Sequence, residues 1–280
     1  MPIIGMGGGV FGEEADASFD SALSVGYRLF DTAPKYGQSE AALGRALHRS
    51  GIARENLFLV SKVGNVGHAQ AITSFERTLA KLQTKYLDLL LMHSAINQQA
   101  AGDPRSRLHA STRIETWKAM KQLKDEGRVL ALGVCNFSPR QIAALNPLPD
   151  VVQIEFHPML QRRELVTYCH KRGIVVTAYG TGGGGWKLWR KDQALDLLGR
   201  PAITAAAEAH GWSAHQVSIR WTLEQGIAVI PKAATREHQL ENRADKIFGS
   251  ALSEEEAQAI TALGSEHRSL YSFKDPDTYT

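Results

Sequence analysis

The chain has little cysteine, no long apolar run and no large excess of charge of either sign. Only two cysteines, Cys135 and Cys169, occur among 280 residues, so no framework of paired cysteines of the secreted kind is expected, and a reducing, cytoplasmic location is the default. The opening segment MPIIGMGGGV lacks the basic residues of a secretory signal, and no later apolar run is long enough to span a bilayer. We therefore expect no membrane partner.

The charge balance is close to neutral. The chain has 32 Lys and Arg against 29 Asp and Glu, a formal charge of +3 at pH 7 and a pI of about 8.8. Such a diffuse positive charge does not favour nucleic acid as a partner, but it suits an anionic ligand such as a dinucleotide. Hydrophobic residues make up 43% of the chain and charged residues 22%, which is typical of a globular protein with its own core. No patterned apolar surface can be read, so a monomer is expected.

The chain does contain a regular alternation of short apolar runs with helical segments. Near-continuous runs of Val, Ile and Leu predict parallel strands that are buried on both faces. The eight runs are 1–7, 27–33, 57–63, 87–93, 129–137, 151–158, 174–180 and 227–233. Apolar stripes at helical spacing lie between them, as in 72–82 and 114–123, and a capping box at Ser253 predicts a last helix. Eight such units without a linker favour a (β/α)8 TIM barrel, an α/β fold, as a single domain over 1–280.

A glycine-rich stretch at 7–12 allows a different interpretation. The sequence GGGVFG matches Gly-x-Gly-x-x-Gly, and Asp31 follows at about the distance of a ribose-binding acid in a Rossmann fold. However, the helix is predicted to begin after Gly12 rather than inside the motif, and eight similar units follow without a second domain. We therefore expect a tight first βα loop whose backbone comes close to a ligand.

Ionisable side chains stand at the carboxyl ends of three consecutive predicted strands. Asp31 ends the second with Tyr36 in the loop that follows, Lys62 ends the third, and His93 ends the fourth. Because the strands of a barrel converge on one mouth, these four should meet there. An ammonium beside a tyrosine favours the phenolate and lowers a pKa that is ordinarily about 10. Any one of the four could be structural, but together they indicate an acid–base site without a metal, in which Asp31 holds Lys62 and His93 orients a substrate oxygen.

At these positions the sequence resembles the aldo-keto reductases. The blocks that carry the resemblance are GYRLFDTAPKYGQSE (26–40), LVSKV, YLDLLLMH, GVCNF (133–137), QIEFHP (153–158), TAY (177–179) and IPKAATREHQLEN (230–242). They cover nearly the whole chain. The resemblance implies an oxidoreductase in which Tyr36 protonates a carbonyl oxygen while hydride arrives from the nicotinamide, with Lys62, Asp31 and His93 in support.

The resemblance also implies a nicotinamide site at the later strand ends. Asn136 and Gln153 would hold the carboxamide through their amide groups, and Tyr179 would stack on the nicotinamide. From the residues alone, Tyr179 could equally be a core aromatic. The glycines from Gly180 to Gly185 could approach the pyrophosphate through backbone N–H groups or form a flexible lid.

The adenosine end of the cofactor is expected after the eighth strand. Lys232 resembles the lysine that meets the 2′-phosphate, but Ala233 stands where serine is usual and His238 where arginine is usual. Arg236 could substitute, because arginine pairs well with phosphate. The adenine contacts are expected from Glu241 and Asn242. These departures leave NADPH as the expected cofactor and NADH as its rival.

The substrate side is expected in the long connections 94–111 and 181–202, both of which follow strand carboxyl ends. Trp186 and Trp189 lie in the second, and further aromatic residues lie in the C-terminal tail. Loop aromatics often line apolar pockets, although local packing explains them equally well. We expect these aromatics to line an open pocket, which suggests small-molecule aldehydes and ketones as substrates.

Two other functions are compatible with the same fold. One is a cofactor-sensing regulatory protein with little turnover, and the other is an isomerase or aldolase that uses Lys62 as a Schiff base. The complete set of Asp31, Tyr36, Lys62 and His93 favours catalysis over regulation. The partner Asp31 argues against a Schiff base, because it keeps the lysine protonated.

Overall fold

The computed structural model describes residues 1–9, 12–183 and 196–264. It contains one sheet of eight parallel strands in chain order. The strands are β1 Met6–Gly7, β2 Leu29–Asp31, β3 Phe58–Val63, β4 Leu87–Met92, β5 Val129–Cys135, β6 Val151–Glu155, β7 Val175–Tyr179 and β8 Ala228–Val229. Each of the eight apolar runs contains one of these strands, so the predicted strand pattern is confirmed.

The first and last strands meet and close the sheet. Ile4 and Val229 form a parallel bridge. Gly5 N donates to Val229 O at 2.9 Å, and Val229 N donates to Ile3 O at 2.9 Å. Because neither edge of the sheet is left without a partner, the strands form a barrel, and the predicted (β/α)8 fold is confirmed.

Helices surround the barrel and connect its strands. Within the described residues they are α1 Ala15–Ser24, α2 Ser39–Ser50, α3 His68–Leu82, α4 Arg107–Asp125, α5 Pro139–Ala143, α6 Arg163–His170, α7 Pro201–His210, α8 Ala214–Glu224, α9 Arg236–Glu241, α10 Ala244–Ile247 and α11 Glu254–Thr261. Short 3-10 turns occupy Arg54–Asn56 and Gln98–Ala100. None of these helices is both long and apolar enough to cross a bilayer.

The core has two layers, one outside and one inside the barrel. The larger layer lies between the helices and the outer face of the strands. The inner layer is a small cluster of strand residues: Leu29, Val60, Leu89, Leu91, Val151 and Ile230. Side chains therefore fill the barrel interior, and ligand access is confined to its ends.

Apolar spacing explains the outer helices, with one correction. Phe75, Leu79 and Leu82 of α3 are buried as their spacing predicts. In α4, Trp117, Met120 and Leu123 are also buried, but Ile114 is 47% exposed. The buried stripe of α4 instead continues through Arg113, which lies four residues before Trp117 and so on the same face of the helix.

The first βα loop comes close to the barrel, as expected from its glycines. A Cβ on Gly7 would lie 2.7 Å from Ile230 O, and one on Gly8 would lie 2.9 Å from Asp31 O. Helix α1 begins at Ala15, after the glycine motif rather than within it. The Rossmann interpretation is therefore wrong, and the glycines serve the close approach of backbone to backbone.

Candidate active site

The carboxyl ends of the strands surround a cavity of about 280 Å³. Its lining combines polar side chains with backbone from the first and seventh βα loops. The lining residues are Gly7, Gly9, Asp31, Tyr36, His93, Cys135, Asn136, Gln153, Tyr179, Gly180, Thr181, Gly182, His215, Ile230, Pro231 and Lys232. A volume of this order suits a small-molecule group that inserts into a barrel mouth.

Lys62 and Asp31 form a buried ion pair at the floor of this cavity. Lys62 Nζ donates to Asp31 Oδ1 at 2.5 Å and to Thr32 O at 3.1 Å. Lys62 is fully buried, and Asp31 is 2% exposed. Burial by itself lowers the pKa of Lys62, but the negative charge of Asp31 more than offsets it, and the pKa lies above its usual value. The lysine is therefore an ammonium at neutral pH.

Tyr36 lies directly above this ammonium. Lys62 Nζ is 5.0 Å from the centre of the Tyr36 ring, and the Tyr36 hydroxyl is 3.5 Å from His93 Nε2. The Tyr36 and His93 rings meet edge to face, at 86° and 5.6 Å between centroids. The structure thus brings Asp31, Tyr36, Lys62 and His93 together, from three strand ends and one loop.

The short segment between β2 and α2 places Tyr36. Tyr36 N donates to Ala33 O at 3.0 Å, and Ser39 N donates to Tyr36 O at 3.1 Å. These bonds form a tight turn that leads into α2. Thr32 Oγ1 donates to Ser39 Oγ at 2.9 Å, which joins the strand end to the helix start. The phenol is therefore held by backbone geometry on both sides.

A buried carboxylate fixes α2 against the strand that carries Lys62. Glu40 Oε1 accepts hydrogen bonds from Ser61 Oγ at 2.9 Å and from Thr78 Oγ1 at 2.8 Å. Ser61 precedes Lys62 in β3, and Thr78 belongs to α3. Lys81 Nζ lies 3.4 Å from the other carboxylate oxygen. Three elements next to the site are thereby joined through one acid.

His93 is a neutral imidazole at the mouth. Burial lowers its pKa well below the usual value, and the positive charges of Lys62 and Lys35 lower it further. Its backbone N–H donates to Val63 O at 2.7 Å, so β3 fixes its position. A neutral imidazole can donate one hydrogen bond to a substrate oxygen without bringing a second positive charge into the site.

The amide side chains on the opposite wall form a connected chain. Tyr179 Oη donates to Asn136 Oδ1 at 2.7 Å, and Asn136 Nδ2 lies 3.1 Å from Cys135 Sγ. Cys135 Sγ donates to Gln153 Oε1 at 3.6 Å, and Gln153 Nε2 donates to Asp31 Oδ2 at 2.8 Å. Asn136 adopts a positive φ of 59°. The expected carboxamide-binding residues therefore lie together beside Asp31.

The residues expected at the adenosine end of the cofactor differ in their burial and in their position relative to the cavity. Lys232 lines the cavity, and Ala233 is buried. His238 is exposed. Arg236 donates to Ser24 Oγ of α1 at 2.9 Å, so its guanidinium is engaged away from the cavity. Among the residues that the structure describes, neither the nitrogen nor the oxygen of the buried Asn242 side chain has a hydrogen-bond partner.

An unpartnered buried amide fits a polar ligand that reaches this end of the site, since buried polar groups are otherwise paired. The backbone near the cavity fits a ligand as well. Gly180 has a φ of 69°, in the region that favours glycine, and Gly9 lines the wall near the Tyr36 ring. These features are compatible with a bound dinucleotide.

His215 also lines the cavity, although no sequence pattern points to it. It lies in the first turn of α8, and its Nε2 is 3.4 Å from Thr181 Oγ1. A Cβ on Gly182 would lie 3.0 Å from its ring. Burial and the charge of His238 lower its pKa to about 4. Its helical position was predictable from the capping box at Ser213, but its direction toward the cavity was not.

Several expected residues lie outside the described ranges. They are Gly184, Gly185, Trp186, Trp189 and the tail aromatics Tyr271 and Phe273. Their predicted contribution to the substrate wall and pyrophosphate loop remains a prediction. Within the described ranges, no group of three or more His, Cys, Asp or Glu side chains is arranged to hold a metal ion.

The chain is similar to known proteins over nearly its whole length. Residues 4–265 match the model of the Aldo/keto reductase family. The chain is 37% identical over 289 residues to aldo-keto reductase family 1 member A1 of Rattus norvegicus, with 96% of this chain and 87% of the relative covered. The protein of the same name from Homo sapiens is 36% identical over 289 residues, with the same shares covered.

Two solved structures have the same architecture. An aldo/keto reductase from Brucella melitensis superimposes with a TM-score of 0.81 at 34% identity, covering 94% of this chain and 95% of the other. An aldo-keto reductase enzyme from a Medee basin deep-sea metagenome library gives a TM-score of 0.85 at 31% identity, covering 98% and 95%. Sequence and structure comparisons therefore agree on one family over the same length of chain.

Proposed function

The chain belongs to the aldo/keto reductase family, and we propose that Tyr36 is the proton donor with which it reduces aldehydes and ketones to alcohols. The activity of the chain is a hydride transfer between a nicotinamide cofactor and a small-molecule carbonyl or alcohol. The observation that carries the assignment to Tyr36 is the cluster at the barrel mouth, where its phenol lies above the Lys62 ammonium and 3.5 Å from His93 Nε2.

The proton transfer proceeds between Tyr36 and the substrate oxygen. When bound, the cofactor supplies the hydride that adds to the carbonyl carbon. The Tyr36 hydroxyl gives its proton to the carbonyl oxygen as negative charge develops there, which yields the alcohol and a phenolate. The Lys62 ammonium stabilises this phenolate, and Asp31 holds Lys62 in place. Solvent returns the proton to Tyr36 before the next cycle, and the alcohol oxidation runs through the same steps in reverse.

His93 orients the substrate. Because its imidazole is neutral, it donates a single hydrogen bond to the carbonyl oxygen beside the Tyr36 hydroxyl. Two donors that converge on one oxygen fix the orientation of the carbonyl group, so that hydride adds to one of its two faces. Because His93 donates this hydrogen bond as a neutral imidazole, Tyr36 remains the group that gives up its proton.

We propose that the cofactor lies along the opposite wall of the mouth. Asn136 and Gln153 hold the carboxamide, Tyr179 lies against the nicotinamide ring, and the backbone at Gly180 approaches the phosphates. Lys232 meets the 2′-phosphate, with Ala233, His238, Glu241 and Asn242 around the adenosine. The unpartnered amide of Asn242 supports this placement.

We propose NADPH as the preferred cofactor, with NADH as a usable second. Lys232 lies at the cavity and supplies one cation for the 2′-phosphate. Arg236 is bonded to Ser24 and does not supply a second. A site with one lysine discriminates less than a site that adds a bidentate arginine, so the preference for NADPH should be modest.

Further proposals concern the chain as a whole. We propose a single domain over 1–280, which agrees with the family match over 4–265. We also propose a cytoplasmic monomer without nucleic-acid or membrane partners, and a substrate wall that includes Trp186 and Trp189. No observation favours the regulatory alternative, and a Schiff base at Lys62 is disfavoured because Asp31 keeps its amine protonated.

Replacing Tyr36 with phenylalanine tests the proposal. The rate of NADPH consumption with an aromatic aldehyde should fall by about 100-fold or more in Tyr36→Phe, since that is the usual contribution of a positioned acid. Cofactor binding, followed by quenching of protein fluorescence, should persist. Equal rates in the two proteins would remove Tyr36 from the mechanism, and NADPH binding without turnover on a broad carbonyl panel would favour regulation.

A further inference from the structure

Gln153 occupies an unusual position between the two halves of the proposed site. It is 3% exposed and lies in the middle of β6, paired in register with Cys135 on one side and Thr177 on the other. Its Nε2 donates to Asp31 Oδ2 at 2.8 Å. Asp31 Oδ1 is the oxygen that accepts from Lys62. Each oxygen of this buried carboxylate therefore has its own donor, one charged and one neutral.

Four hydrogen bonds on this wall form a series that ends at Asp31. The Tyr179 hydroxyl donates to Asn136, and Asn136 Nδ2 donates to Cys135 Sγ. The Cys135 thiol donates to Gln153, and Gln153 donates to Asp31. Asn136 Nδ2 also lies 3.4 Å from the carbonyl oxygen of His93. Within the series each donor lies on the side away from the carboxylate, as expected when a chain of hydrogen bonds ends at an anion and each bond polarises the next.

The carboxylate and the thiol fix the orientation of the Gln153 amide. The reverse orientation would place its carbonyl oxygen against Asp31 Oδ2, where two acceptors would repel each other. Burial raises the pKa of the Cys135 thiol to about 12, so the thiol keeps its proton and can donate to Gln153 Oε1. The amide nitrogen is thereby held toward Asp31.

We propose that Gln153 is a positioning residue that holds the second oxygen of Asp31 and so links the nicotinamide wall to the Lys62–Asp31 pair. This inference rests on the proposed function. The amide nitrogen carries two protons, so it can serve Asp31 and a carboxamide oxygen together. Cys135 is the next member of the chain and keeps the Gln153 amide in its working orientation.

The consequence for Tyr36 follows from charge. Without Gln153, Asp31 Oδ2 loses its donor, and the negative charge of Asp31 concentrates against Lys62. Lys62 is then more fully neutralised and stabilises the Tyr36 phenolate less. Ionisation of Tyr36 should therefore move to higher pH, by about half to one unit for the loss of one hydrogen bond to a charged group.

The test is a titration of Tyr36 in the cofactor-free protein. The near-ultraviolet absorbance of tyrosinate is followed against pH, and the trace of Tyr36→Phe is subtracted from each protein that retains Tyr36. Gln153→Met should move the Tyr36 step to higher pH by the amount above. With saturating NADPH and aldehyde, the alkaline limb of kcat for reduction should move with it. Alcohol oxidation at a fixed pH should fall by about 3- to 10-fold relative to reduction.

Two cysteine variants keep the test decisive if Gln153→Met does not fold. Cys135→Ser retains a donor to Gln153 and should titrate like the wild type. Cys135→Ala frees the Gln153 amide and should shift the Tyr36 step in the same direction as Gln153→Met, but less. Thermal melts establish that each variant is folded. Identical titrations for Cys135→Ala and Cys135→Ser would overturn the link through Cys135.

The outcomes separate this inference from the proposed function. A Gln153→Met protein that titrates like the wild type, with only a raised KM for cofactor, would make Gln153 a cofactor ligand alone and overturn the inference. Retained turnover in Tyr36→Phe would instead overturn the proposed function. The tyrosinate titration requires no turnover and reports on Gln153 in either case.

Discussion

The buried ion pair of Lys62 and Asp31 shows how a single side chain affects the free energy of unfolding. Removing either partner leaves the other charge buried without a counter-charge, which typically costs about 3–5 kcal/mol. We expect Lys62→Met and Asp31→Asn each to lower the free energy of unfolding by that order. The double variant Lys62→Met with Asp31→Asn should recover much of the loss, because no buried charge remains. Urea unfolding monitored by circular dichroism measures all three.

The same variants separate stability from activity. All three should lose carbonyl reduction, since none retains an ammonium held by a carboxylate beneath Tyr36. A double variant whose loss of stability equals the sum of the single losses would contradict the expected coupling. It would show that the two charges are stabilised separately by their surroundings.

Two histidines at the mouth make stability depend on pH. The folded-state pKa of His93 lies well below the ordinary 6.5, and that of His215 is about 4. Below about pH 6.5 the unfolded chain binds protons that the folded chain does not, so stability is complete above that pH and falls as pH falls. Each histidine contributes a slope of up to about 1.4 kcal/mol per pH unit.

Urea unfolding between pH 7.5 and 5 checks this dependence. That window lies above the range in which acids such as Asp16, whose pKa is about 2, take up protons. His215→Ala should reduce the slope by one proton, and His48→Ala, at an exposed position on α2, is the control. An unchanged slope in His215→Ala would mean that His215 binds its proton equally well in the folded and the unfolded protein.

The cofactor preference depends on a single lysine. If Lys232 meets the 2′-phosphate, Lys232→Met should lower kcat/KM with NADPH by about 10- to 100-fold, the usual effect of losing a charged hydrogen bond. The value with NADH should barely change. Arg236→Met is the matched control, because Arg236 donates to Ser24 and should affect neither cofactor. Equal losses with both cofactors would place Lys232 away from the 2′ position.

Some site residues could be predicted from the sequence, and others could not. Asp31, Lys62 and His93 end consecutive strands, and barrel strands end at one mouth, so their meeting followed from position alone. The bond from Gln153 to Asp31 depends on the rotamer of a residue 122 positions away. His215 belongs to a helix, and only its side-chain direction places it at the cavity. Neither feature leaves a periodic signal.

At the scale of elements, the connection after β4 is held by a buried amide. Asn65 Nδ2 donates to Ala95 O at 2.8 Å and to His109 O at 3.0 Å. Asn97 Nδ2 donates back to Asn65 O at 2.9 Å. The connection begins immediately after His93, so its order affects the substrate side of the mouth.

Asn65→Ala should loosen this connection and leave the cofactor wall intact. Two lost hydrogen bonds correspond to about 2 kcal/mol of stability. Amide hydrogen exchange should quicken in residues 94–106, and KM for aldehyde should rise without a change in cofactor affinity. Gln99→Ala on the same connection is the control, because the Gln99 side chain is exposed and the bond of Gln99 to Asn97 comes from its backbone N–H. Equal rates of amide hydrogen exchange in the two variants would mean that Asn65 does not hold this connection in place.

Element positions were more predictable than element ends. All eight strands lie inside the predicted runs, yet the run 227–233 yields only Ala228–Val229 as strand. Pro231 lacks the N–H that a continuing ladder needs, and the residues after Val229 line the cavity instead. The prediction that Ile114 belongs to the buried stripe was wrong for a related reason. Spacing alone does not distinguish an apolar residue beside a buried stripe from a member of that stripe.

At the scale of the whole molecule, the barrel was predictable because eight similar units fit one closed sheet. The closure itself is a seam between β1 and β8, and glycine makes it feasible. Gly7 N donates to Pro231 O at 3.0 Å, and Gly7 also lines the cavity. The same backbone approach therefore closes the barrel and shapes the proposed cofactor site.

Gly7→Ala tests whether closure and binding are one property. The new Cβ would lie 2.7 Å from Ile230 O, and backbone atoms on both sides of the seam must move apart. Overpacking of this kind costs about 1–3 kcal/mol, so the free energy of unfolding should fall by that order, and NADPH should bind more weakly. Gly102→Ala is the control, since a Cβ there meets no atom within 4 Å, and its stability should stay within about 0.5 kcal/mol of the wild type. If Gly7→Ala loses stability but binds NADPH normally, the seam closes the barrel without shaping the site.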